Sequence, residues 1–321
     1  MDKPTYKDNP IKSIHELAKI LTIEPSTLLE ISHSARNYYQ PNKPQIKPDG
    51  SKRQTYRVLQ PLQDIQEKIK DNIFYKVEYP IYLQGGIKDA RNPRDYVRNA
   101  SLHAKNSIVI KEDIANFFPS IKTKHVFRIW KDFFGFSEDV SKILTELTTY
   151  KGFVPQGAKT SSYIANLVFW NVEPKLENIM QNRGLIYSRL TDDITVSANR
   201  NLTQSEIHEI TRAVYQMLFS LGFRPKRRKR KVMTSGFRIN IHNLNTNSGT
   251  PTLSQSERRK IRSAVKQCEI FAKTGLNRDA YEKIYKSTYG RVALLKRLHP
   301  KQAQKYIDKL ESIEPDKIYQ E

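Results

Sequence analysis

LIYSRLTDDITVSA, residues 185–198, contains two runs of β-forming residues on either side of an acidic pair. In the second run, residues 194–198, apolar and polar side chains alternate with the period of two that is typical of a β-strand. Asp192 and Asp193 lie between the runs, and Asp is a residue that turns favour. The stretch therefore predicts a β-hairpin with two carboxylates at its tip.

A third acid ends an apolar run further upstream. Residues 108–110 are Ile-Val-Ile, which predicts a buried strand ending at Asp113. Transfer of a nucleotide to a hydroxyl uses two divalent ions about 3.5–4 Å apart, which carboxylates from two adjacent strand ends can hold. Magnesium suits such ligands because it is a hard ion that prefers oxygen and shares substrate phosphates. An Asp-Asp turn alone is a weak signal; the order of Asp113, the Val-Pro-Gln-Gly turn at 154–157, Asp192-Asp193 and a basic loop makes it stronger.

The overall charge points to a polyanionic partner. The 321 residues include 55 Lys plus Arg against 33 Asp plus Glu, a formal net charge of +22. Hydrophobic residues make up 38% and aromatic residues 10%, which is too aromatic for a mainly disordered chain. These values predict a folded protein that handles nucleic acid.

Cysteine and hydropathy patterns exclude several other classes. Cys268 is the only cysteine, so an internal disulfide is impossible and a cysteine-based zinc site is implausible. The scattered histidines have no partners at ligand spacing. No apolar run approaches about 18 residues, and residues 1–12 lack the apolar stretch of a signal peptide. We therefore expect a soluble, cytoplasmic protein in a reducing compartment, without a membrane partner.

The rest of the chain is predicted to form mainly helices around these strands. Residues 13–37 predict a helical pair that restarts at Pro25, either a domain cap or a helix-turn-helix reader of DNA. Residues 41–61 predict a basic hairpin around an Asp49-Gly50 turn, with Lys52, Arg53 and Arg57 on the return strand. Residues 123–150 and 161–182 predict helices, the second as one apolar helix. A Gly-, Pro- and Asn-containing connection at 243–252 precedes a basic, helical region.

Three segments resemble, in sequence and order, the palm motifs of reverse transcriptases: IKEDIANFFPSI at 110–121, VPQGAKTSSYIANL at 154–167 and IYSRLTDDITVSA at 186–198. The resemblance is greatest to the bacterial retron reverse transcriptases. RNASLHAKN at 98–106 places Asn99, Ala100 and His103 in the arrangement typical of retron enzymes. The N-terminal helices, the segment around residues 51–69 and the last basic helices also look like that family, so the resemblance covers almost the whole chain.

The resemblance implies a set of metal ligands and a nucleotide gate. Asp113 and Asp192 would be the principal metal ligands, with Asp193 as a neighbouring catalytic acid and metal ligand. The Ile114 carbonyl would complete a metal site. Phe118, five residues after Asp113, would block the ribose 2′-hydroxyl and so select deoxynucleotides; the alternative for this ring is a core aromatic.

The resemblance also implies contacts to dNTP and RNA. Gln156 would position template and incoming nucleotide, and Arg53 and Arg57 would pair with the triphosphate, since guanidinium groups match phosphate oxygens. Lys229 would lie near the leaving pyrophosphate, within a crowded basic segment. Asn99 and His103 would bind structured RNA or stabilise a turn.

Three departures from the family pattern are visible. Leu190 stands where most relatives have Tyr, Thr234-Ser235-Gly236 stands where retron enzymes usually carry Val-Thr-Gly, and Lys159 replaces a common Pro. All three acids are retained, so these departures bear on primer contacts and subgroup rather than on the metal chemistry.

The implied protein is an α/β (α+β) right-hand polymerase. Residues 1–40 would form an N-terminal helical cap, 41–245 the fingers and palm, and 252–321 a helical thumb. Its activity would be RNA-directed DNA synthesis from dNTPs with two Mg²⁺ ions. The net charge suits an A-form duplex and folded RNA, which are held mainly through phosphate and 2′-hydroxyl contacts.

Family membership of this kind would bring defined partners. Retron enzymes copy part of a cognate structured noncoding RNA, prime from a guanosine 2′-hydroxyl, and leave a branched RNA–DNA product called msDNA. Such systems typically defend bacteria against phage together with an accessory effector protein. The chain has little room for an RNase H domain after the thumb, so a separate host RNase H would remove the RNA.

Three alternatives remain at this stage. Another bacterial defence or group II intron-like reverse transcriptase would use a different template and primer; the Asn99-Ala100-His103 arrangement favours a retron enzyme. A non-catalytic RNA-binding scaffold would have no use for adjacent acids, which repel RNA. The same objection applies to a helix-turn-helix regulator.

Overall fold

The computed structural model describes residues 2–46, 50–89 and 92–319, and these divide into two compact units. The first unit contains the chain up to Leu102 together with Ser107–Val232. The second contains His103–Asn106 and the chain from Met233 onward. The sequence-based division into helical cap, fingers and palm, and thumb stays a prediction.

The N-terminal half of the first unit is made of short strands and helices. In chain order its elements are β1 (Thr5–Tyr6), α1 (Ile14–Leu21), α2 (Pro25–Ser34), β2 (Tyr39–Pro41), β3 (Gln45–Ile46), β4 (Lys52–Arg53), β5 (Tyr56–Val58), α3 (Leu62–Asn72), β6 (Val77–Glu78), β7 (Leu83–Gln84) and α4 (Tyr96–Leu102). Ser13 caps α1 by accepting a hydrogen bond from the Glu16 N–H, and Pro25 opens α2. The predicted helical pair is confirmed.

The rest of the first unit carries the central strands. Its elements are β8 (Ile108–Asp113), α5 (Phe117–Ser120), α6 (Thr123–Arg128), α7 (Glu138–Thr148), α8 (Ser161–Leu167), α9 (Glu173–Asn182), β9 (Ile186–Leu190), β10 (Asp193–Ala198), α10 (Gln204–Ser220) and β11 (Lys231–Thr234), the last of which continues into the second unit. A π-helical turn at Ile129–Phe133 follows α6. The strand at 108–113 and the hairpin at 185–198 form as predicted.

The second unit is mainly helical. Its elements are β12 (Asn240–Ile241), β13 (Leu244–Asn245), β14 (Thr252–Leu253), α11 (Gln255–Thr274), α12 (Arg278–Leu298), α13 (Pro300–Glu311) and α14 (Pro315–Ile318). Ser254 caps α11, and Gly275 ends it in the left-handed region at φ 74°. The predicted basic, helical C-terminal region is therefore present.

Two details of the sequence-based prediction were wrong. Residues 161–182 form two helices, because Pro174 has no N–H for a helical bond to Trp170 and its ring would clash with that carbonyl. The predicted basic hairpin forms, but its return arm is two strands rather than one: Lys52 and Arg53 lie on β4, which pairs with β3, whereas Arg57 lies on β5, which pairs with β2. Of the predicted Asp49-Gly50 turn, Asp49 lies outside the described residues.

A five-stranded sheet in the order β11-β8-β10-β9-β7 forms the centre of the first unit. β8, β10 and β9 are antiparallel, and β10 lies between the other two, so it has hydrogen-bonded neighbours on both sides. Both faces of β10 are buried: Ile194 and Val196 are at most 1% exposed, as are Thr195 and Ser197 on the opposite face. This burial holds the strand ends, and hence the acids, rigidly in place.

Candidate active site

The three predicted acids meet where β8 ends and the β9–β10 turn begins. Asp193 lies directly opposite Asp113 in the antiparallel register of β10 and β8. The Ile114 N–H donates a 2.9 Å hydrogen bond to the Asp192 carbonyl, which fixes the turn against the end of β8. Thr191, at φ 58°, lets the chain reverse within this tight turn. Residues far apart in the chain thus form one carboxylate cluster.

The cluster is electrostatically strained by burial and like charge. Burial raises the pKa of Asp192 to about 6, and the carboxylates of Asp193 and Asp113 add to the increase. Burial also raises the pKa of Asp193, opposed by Lys111 and Lys229 and reinforced by Asp113. Closely spaced carboxylates with raised pKa values favour the approach of a cation.

Lys229 supplies one positive charge to the cluster. Its Nζ donates a 2.6 Å hydrogen bond to Asp113 Oδ2. Burial alone would lower the pKa of Lys229, but the hydrogen bond to Asp113 and the nearby Asp193 and Asp192 outweigh it, so its pKa is raised. Lys229 is therefore held as an ammonium beside the acids.

The donor chemistry of this cluster fits a divalent metal ion. Carboxylate oxygens of Asp113, Asp192 and Asp193, with the Ile114 carbonyl, are the hard ligands that such ions prefer. No group of three or more His, Cys, Asp or Glu side chains within the described residues is already arranged around a metal position. Asp113 contacts Lys229 instead, and a bound cation would compete with this ammonium for the carboxylate.

A cleft opens above the cluster, and it contains seven of the predicted site residues: Arg53, Asp113, Ile114, Phe118, Gln156, Asp192 and Lys229. Its other lining residues are Lys52, Gln54, Tyr56, Asn116, Phe117, Pro119, Phe153 and Lys226. The lining combines the carboxylates of Asp113 and Asp192 with basic side chains, so the cleft suits a ligand that carries both phosphates and a bound cation.

Gln156 reaches the cleft because its turn is fastened to β5. The Tyr56 N–H donates a 2.8 Å hydrogen bond to the Gln156 carbonyl. Gly157 follows at φ 114°, and a Cβ there would lie 2.5 Å from the Tyr56 carbonyl oxygen. Only glycine allows this close approach, so the Val-Pro-Gln-Gly turn and β5 form one wall of the cleft.

The two neighbouring phenylalanines have different surroundings. Phe117 is 3% exposed and stacks on Phe169 with ring centroids 6.1 Å apart. Phe118 is only partly buried and packs at the edge of the core. Of the two rings, Phe118 is thus the one with surface left to meet a ligand, as the proposed nucleotide gate requires.

Four predicted residues do not line this cleft. Asp193 lies opposite Asp113 in the register of β10 and β8 but is not among the lining residues. Arg57 is exposed and lines a separate hollow with Thr55 and Lys159. Asn99 is fully buried and accepts a 2.6 Å hydrogen bond from the Ser188 hydroxyl. His103 is also fully buried, in the second unit. For Asn99 and His103, burial favours the structural interpretation over direct RNA contact.

Arg189, on β9, is a residue that the sequence analysis missed. Its guanidinium is fully buried and makes two hydrogen bonds of 2.6 and 2.7 Å to the carboxylate of Glu173. It also donates to the carbonyls of Ala165, Asn166 and Thr191. The only sequence signal was a basic residue within a strand of low polarity.

Lys226 is a second residue that was missed. Its backbone N–H donates a hydrogen bond of 2.6 Å to the Asp113 carbonyl, and the Ala115 N–H donates to the Arg224 carbonyl at 2.8 Å. These bonds fasten the basic segment, residues 224–231, to the end of β8. They explain how Lys229 reaches Asp113 although 116 positions separate the two residues in the chain.

Known proteins that are similar to this chain show its family. Residues 42–270 match the family model described as reverse transcriptase (RNA-dependent DNA polymerase). The chain is 36% identical over 306 residues to the retron Se72 reverse transcriptase of Salmonella heidelberg, covering 94% of this chain and 80% of that protein. The chain belongs to the retron reverse transcriptases. This membership confirms the predicted right-hand polymerase fold class and RNA-directed DNA polymerase activity.

A second retron reverse transcriptase, Ec48 of Escherichia coli, is 31% identical over 327 residues, covering 98% of this chain and 79% of that protein. Among solved structures, a telomerase from Candida albicans in complex with a fragment of telomeric RNA aligns with a TM-score of 0.43 and 11% identity. That alignment covers 87% of this chain and 58% of the telomerase chain. Membership in this retron reverse transcriptase family implies an RNA template, a DNA product and dependence on divalent metal.

Within residues 2–46, 50–89 and 92–319, no helix combines the length and the apolar character needed to cross a bilayer.

Proposed function

We propose that this reverse transcriptase copies part of a cognate structured noncoding RNA into single-stranded DNA, with catalysis in the cleft above Asp113, Asp192 and Asp193. The observation that carries the proposal is the register of β8 and β10, which puts Asp113 and Asp193 side by side at the end of β8, where Asp113 lines the cleft together with basic side chains. Asp192 adds the third carboxylate from the adjoining turn.

In this proposal Asp113, Asp192, Asp193 and the Ile114 carbonyl hold two Mg²⁺ ions. When bound, such ions activate the attacking hydroxyl and stabilise the charge on the leaving pyrophosphate. Asp192 and Asp193 are suited to the task because burial and the neighbouring carboxylates raise their pKa values, so a bound cation would stabilise their charged forms. Exchange of Lys229 from Asp113 to a phosphate of the incoming nucleotide would free the carboxylate oxygen it now occupies.

The walls of the cleft would orient the dNTP. Arg53 on β4 would bind triphosphate oxygens, and Gln156 would contact the nucleotide paired with the template. Phe118 would occupy the space that a ribose 2′-hydroxyl needs. Arg57 would act in triphosphate binding only if β5 and β4 closed toward the cleft, since it lines a separate hollow in this structure.

A primer-extension assay tests the catalytic proposal. Asp192→Asn keeps the shape of the side chain but removes its charge, so we expect DNA synthesis on an RNA template to fall by at least about 10²-fold, the scale of an electrostatic catalytic contribution. Asp132→Asn is the matched control, because Asp132 is exposed on the helical segment after α6. Near wild-type synthesis by Asp192→Asn would overturn the assignment.

The product of DNA synthesis should be the branched RNA–DNA molecule that retron enzymes make. We propose that synthesis starts from a guanosine 2′-hydroxyl of the cognate RNA and yields branched msDNA, with a host RNase H removing the copied RNA. Expression with the native flanking DNA should give a small DNA that changes size after RNase treatment and is lost in Asp192→Asn. Primer extension without such a DNA would favour another defence or intron-like reverse transcriptase.

The biological role proposed for the product is anti-phage defence with an accessory effector protein. The support is the chain's membership in the retron family. Plaque counts on bacteria carrying the complete locus should be lower than on bacteria in which the enzyme carries Asp192→Asn. Equal plaque counts across a broad phage panel would contradict this role.

A further inference from the structure

A groove runs along the outer side of α10, within the first unit and apart from the cleft. It is lined by His208, Thr211, Arg212, Tyr215, Gln216, Phe219, Arg227 and Arg230. Positions 208, 212, 215 and 219 recur at helical spacing and share one face of α10. The opposite face of the helix is buried, through Ile207, Ile210, Val214, Met217 and Leu218.

The base of this α10 groove is rigidly built. Glu112, only 2% exposed, accepts hydrogen bonds from the Tyr215 hydroxyl at 3.0 Å and from Arg230 Nε at 3.1 Å. Arg230 also donates from Nη2 to the Thr211 hydroxyl at 3.2 Å. Because these side chains are already ordered, the protein loses little conformational entropy when a ligand binds to them.

The rim of the groove combines rings with guanidinium groups. The Phe219 side chain is 51% exposed, and its ring centroid lies 6.1 Å from that of Tyr215. The guanidinium of Arg227 lies over the Tyr215 ring, 5.9 Å from its centroid. Arg212 is exposed on the same helix face, and none of the described residues lining the groove is acidic.

The combination of aromatic rings and guanidinium groups favours single-stranded nucleic acid as a ligand. Exposed rings beside guanidinium groups bind unpaired bases by stacking and phosphates by charge. A base-paired duplex would keep its bases out of reach of Phe219. Thr211, Gln216 and His208 add hydrogen-bonding groups for base edges and 2′-hydroxyls, so single-stranded RNA fits better than DNA.

We propose that the α10 groove binds an unpaired segment of the RNA that is not being copied, with bases stacked on Phe219 and Tyr215. The proposal rests on the proposed function, which supplies the RNA. Glu112 and Asp113 are consecutive residues of β8, so their side chains point to opposite faces of the sheet. An RNA segment held beside Glu112 is therefore kept away from the acids that carry out synthesis.

Phe219→Trp gives a local optical test. An indole at this position should lose fluorescence when oligouridylate stacks on it, and less when oligothymidylate of equal length is added. Ile186→Trp is the matched control, because Ile186 is also exposed in the first unit but lies on β9. Its fluorescence should not change with either oligonucleotide beyond the change seen in the unmodified protein.

Two further variants separate stacking and charge from simple apolar contact. Phe219→Leu keeps apolar area but removes the ring, and should weaken oligouridylate binding at the groove at least about fivefold. In the Phe219→Trp background, Arg212→Ala should lower the slope of log affinity against log salt by about one.

The outcomes are distinct. No loss of fluorescence in Phe219→Trp, or an equal loss in Ile186→Trp, would overturn the groove as a binding site. An equal or larger response to oligothymidylate would overturn the preference for RNA, and unchanged oligouridylate binding in Phe219→Leu would overturn base stacking on Phe219. Primer extension by the wild-type enzyme is measured alongside, since extension without a groove response would overturn this inference and leave the proposed function intact.

Discussion

Replacing Arg189 by methionine should destabilise the first unit strongly. Arg189 and Glu173 are 0% and 1% exposed, and their two charge-assisted hydrogen bonds are 2.6 and 2.7 Å long. Methionine fills a similar length but leaves the Glu173 carboxylate buried without its cation. Breaking one side of a buried ion pair costs about 3–5 kcal/mol, so we expect a loss of at least about 3 kcal/mol in the free energy of unfolding.

The carbonyls around Arg189 should bring the loss in the free energy of unfolding toward the upper end of about 3–5 kcal/mol. Ala165, Asn166 and Thr191 each accept a hydrogen bond from the guanidinium, at 3.0–3.1 Å. A buried carbonyl that loses its donor costs about 1–3 kcal/mol. Since Thr191 precedes Asp192, the substitution also releases the turn that carries the acids. We therefore expect kcat to fall more than the KM for dNTP changes.

Urea denaturation followed by far-UV circular dichroism measures the effect on stability. Arg128→Met is the matched control, because Arg128 pairs with Asp132 at side-chain exposures of 51% and 44%, where an ion pair contributes about 0–1 kcal/mol. The double variant Arg189→Met with Glu173→Leu should regain part of the loss, since neither charge is then left unpaired. A loss in Arg189→Met no larger than in Arg128→Met would refute the reasoning.

Three further predictions concern the cleft. Phe118→Ala should let the enzyme incorporate ribonucleotides, seen as alkali-sensitive products; the same product pattern as wild type would contradict the gate. Lys229→Met should lower kcat by about 10²-fold if the ammonium donates to the leaving pyrophosphate, whereas Lys231→Met, two positions on and exposed, should have little effect in the same steady-state assay. Gly157→Ala should cost about 1–3 kcal/mol and raise the KM for dNTP, because the new Cβ meets the Tyr56 carbonyl; an unchanged urea midpoint would disprove the close approach.

Local sequence was sufficient to predict the strands that carry the acids. The alternation at 194–198 and the apolar run before Asp113 predicted β10 and β8, since strand periodicity is a property of consecutive residues. It failed at residues 161–182, where apolar spacing continues through a helix break that Pro174 imposes. The apolar pattern alone predicted one helix, whereas the missing N–H of Pro174 separates α8 from α9.

Residues whose role depends on distant partners were harder to predict. Arg53 and Arg57 look equivalent in sequence, yet they lie on strands with different partners, and only Arg53 lines the cleft with the acids. Asn99 looked like a residue able to bind RNA, but it is buried in the core, where its side chain accepts a hydrogen bond from Ser188. Which side chains line the cleft and which are buried is set by contacts between distant parts of the chain.

The sequence by itself determined the class of chemistry: three acids at predicted strand ends, a basic charge excess and motifs in the order of a reverse transcriptase. Local backbone preference and side-chain chemistry are enough for that. Only the tertiary structure decided which charges meet. The pairing of Arg189 with Glu173 and of Lys229 with Asp113 depends on the packing of separate elements, because an ion pair forms only where folding brings both charges within a few ångströms.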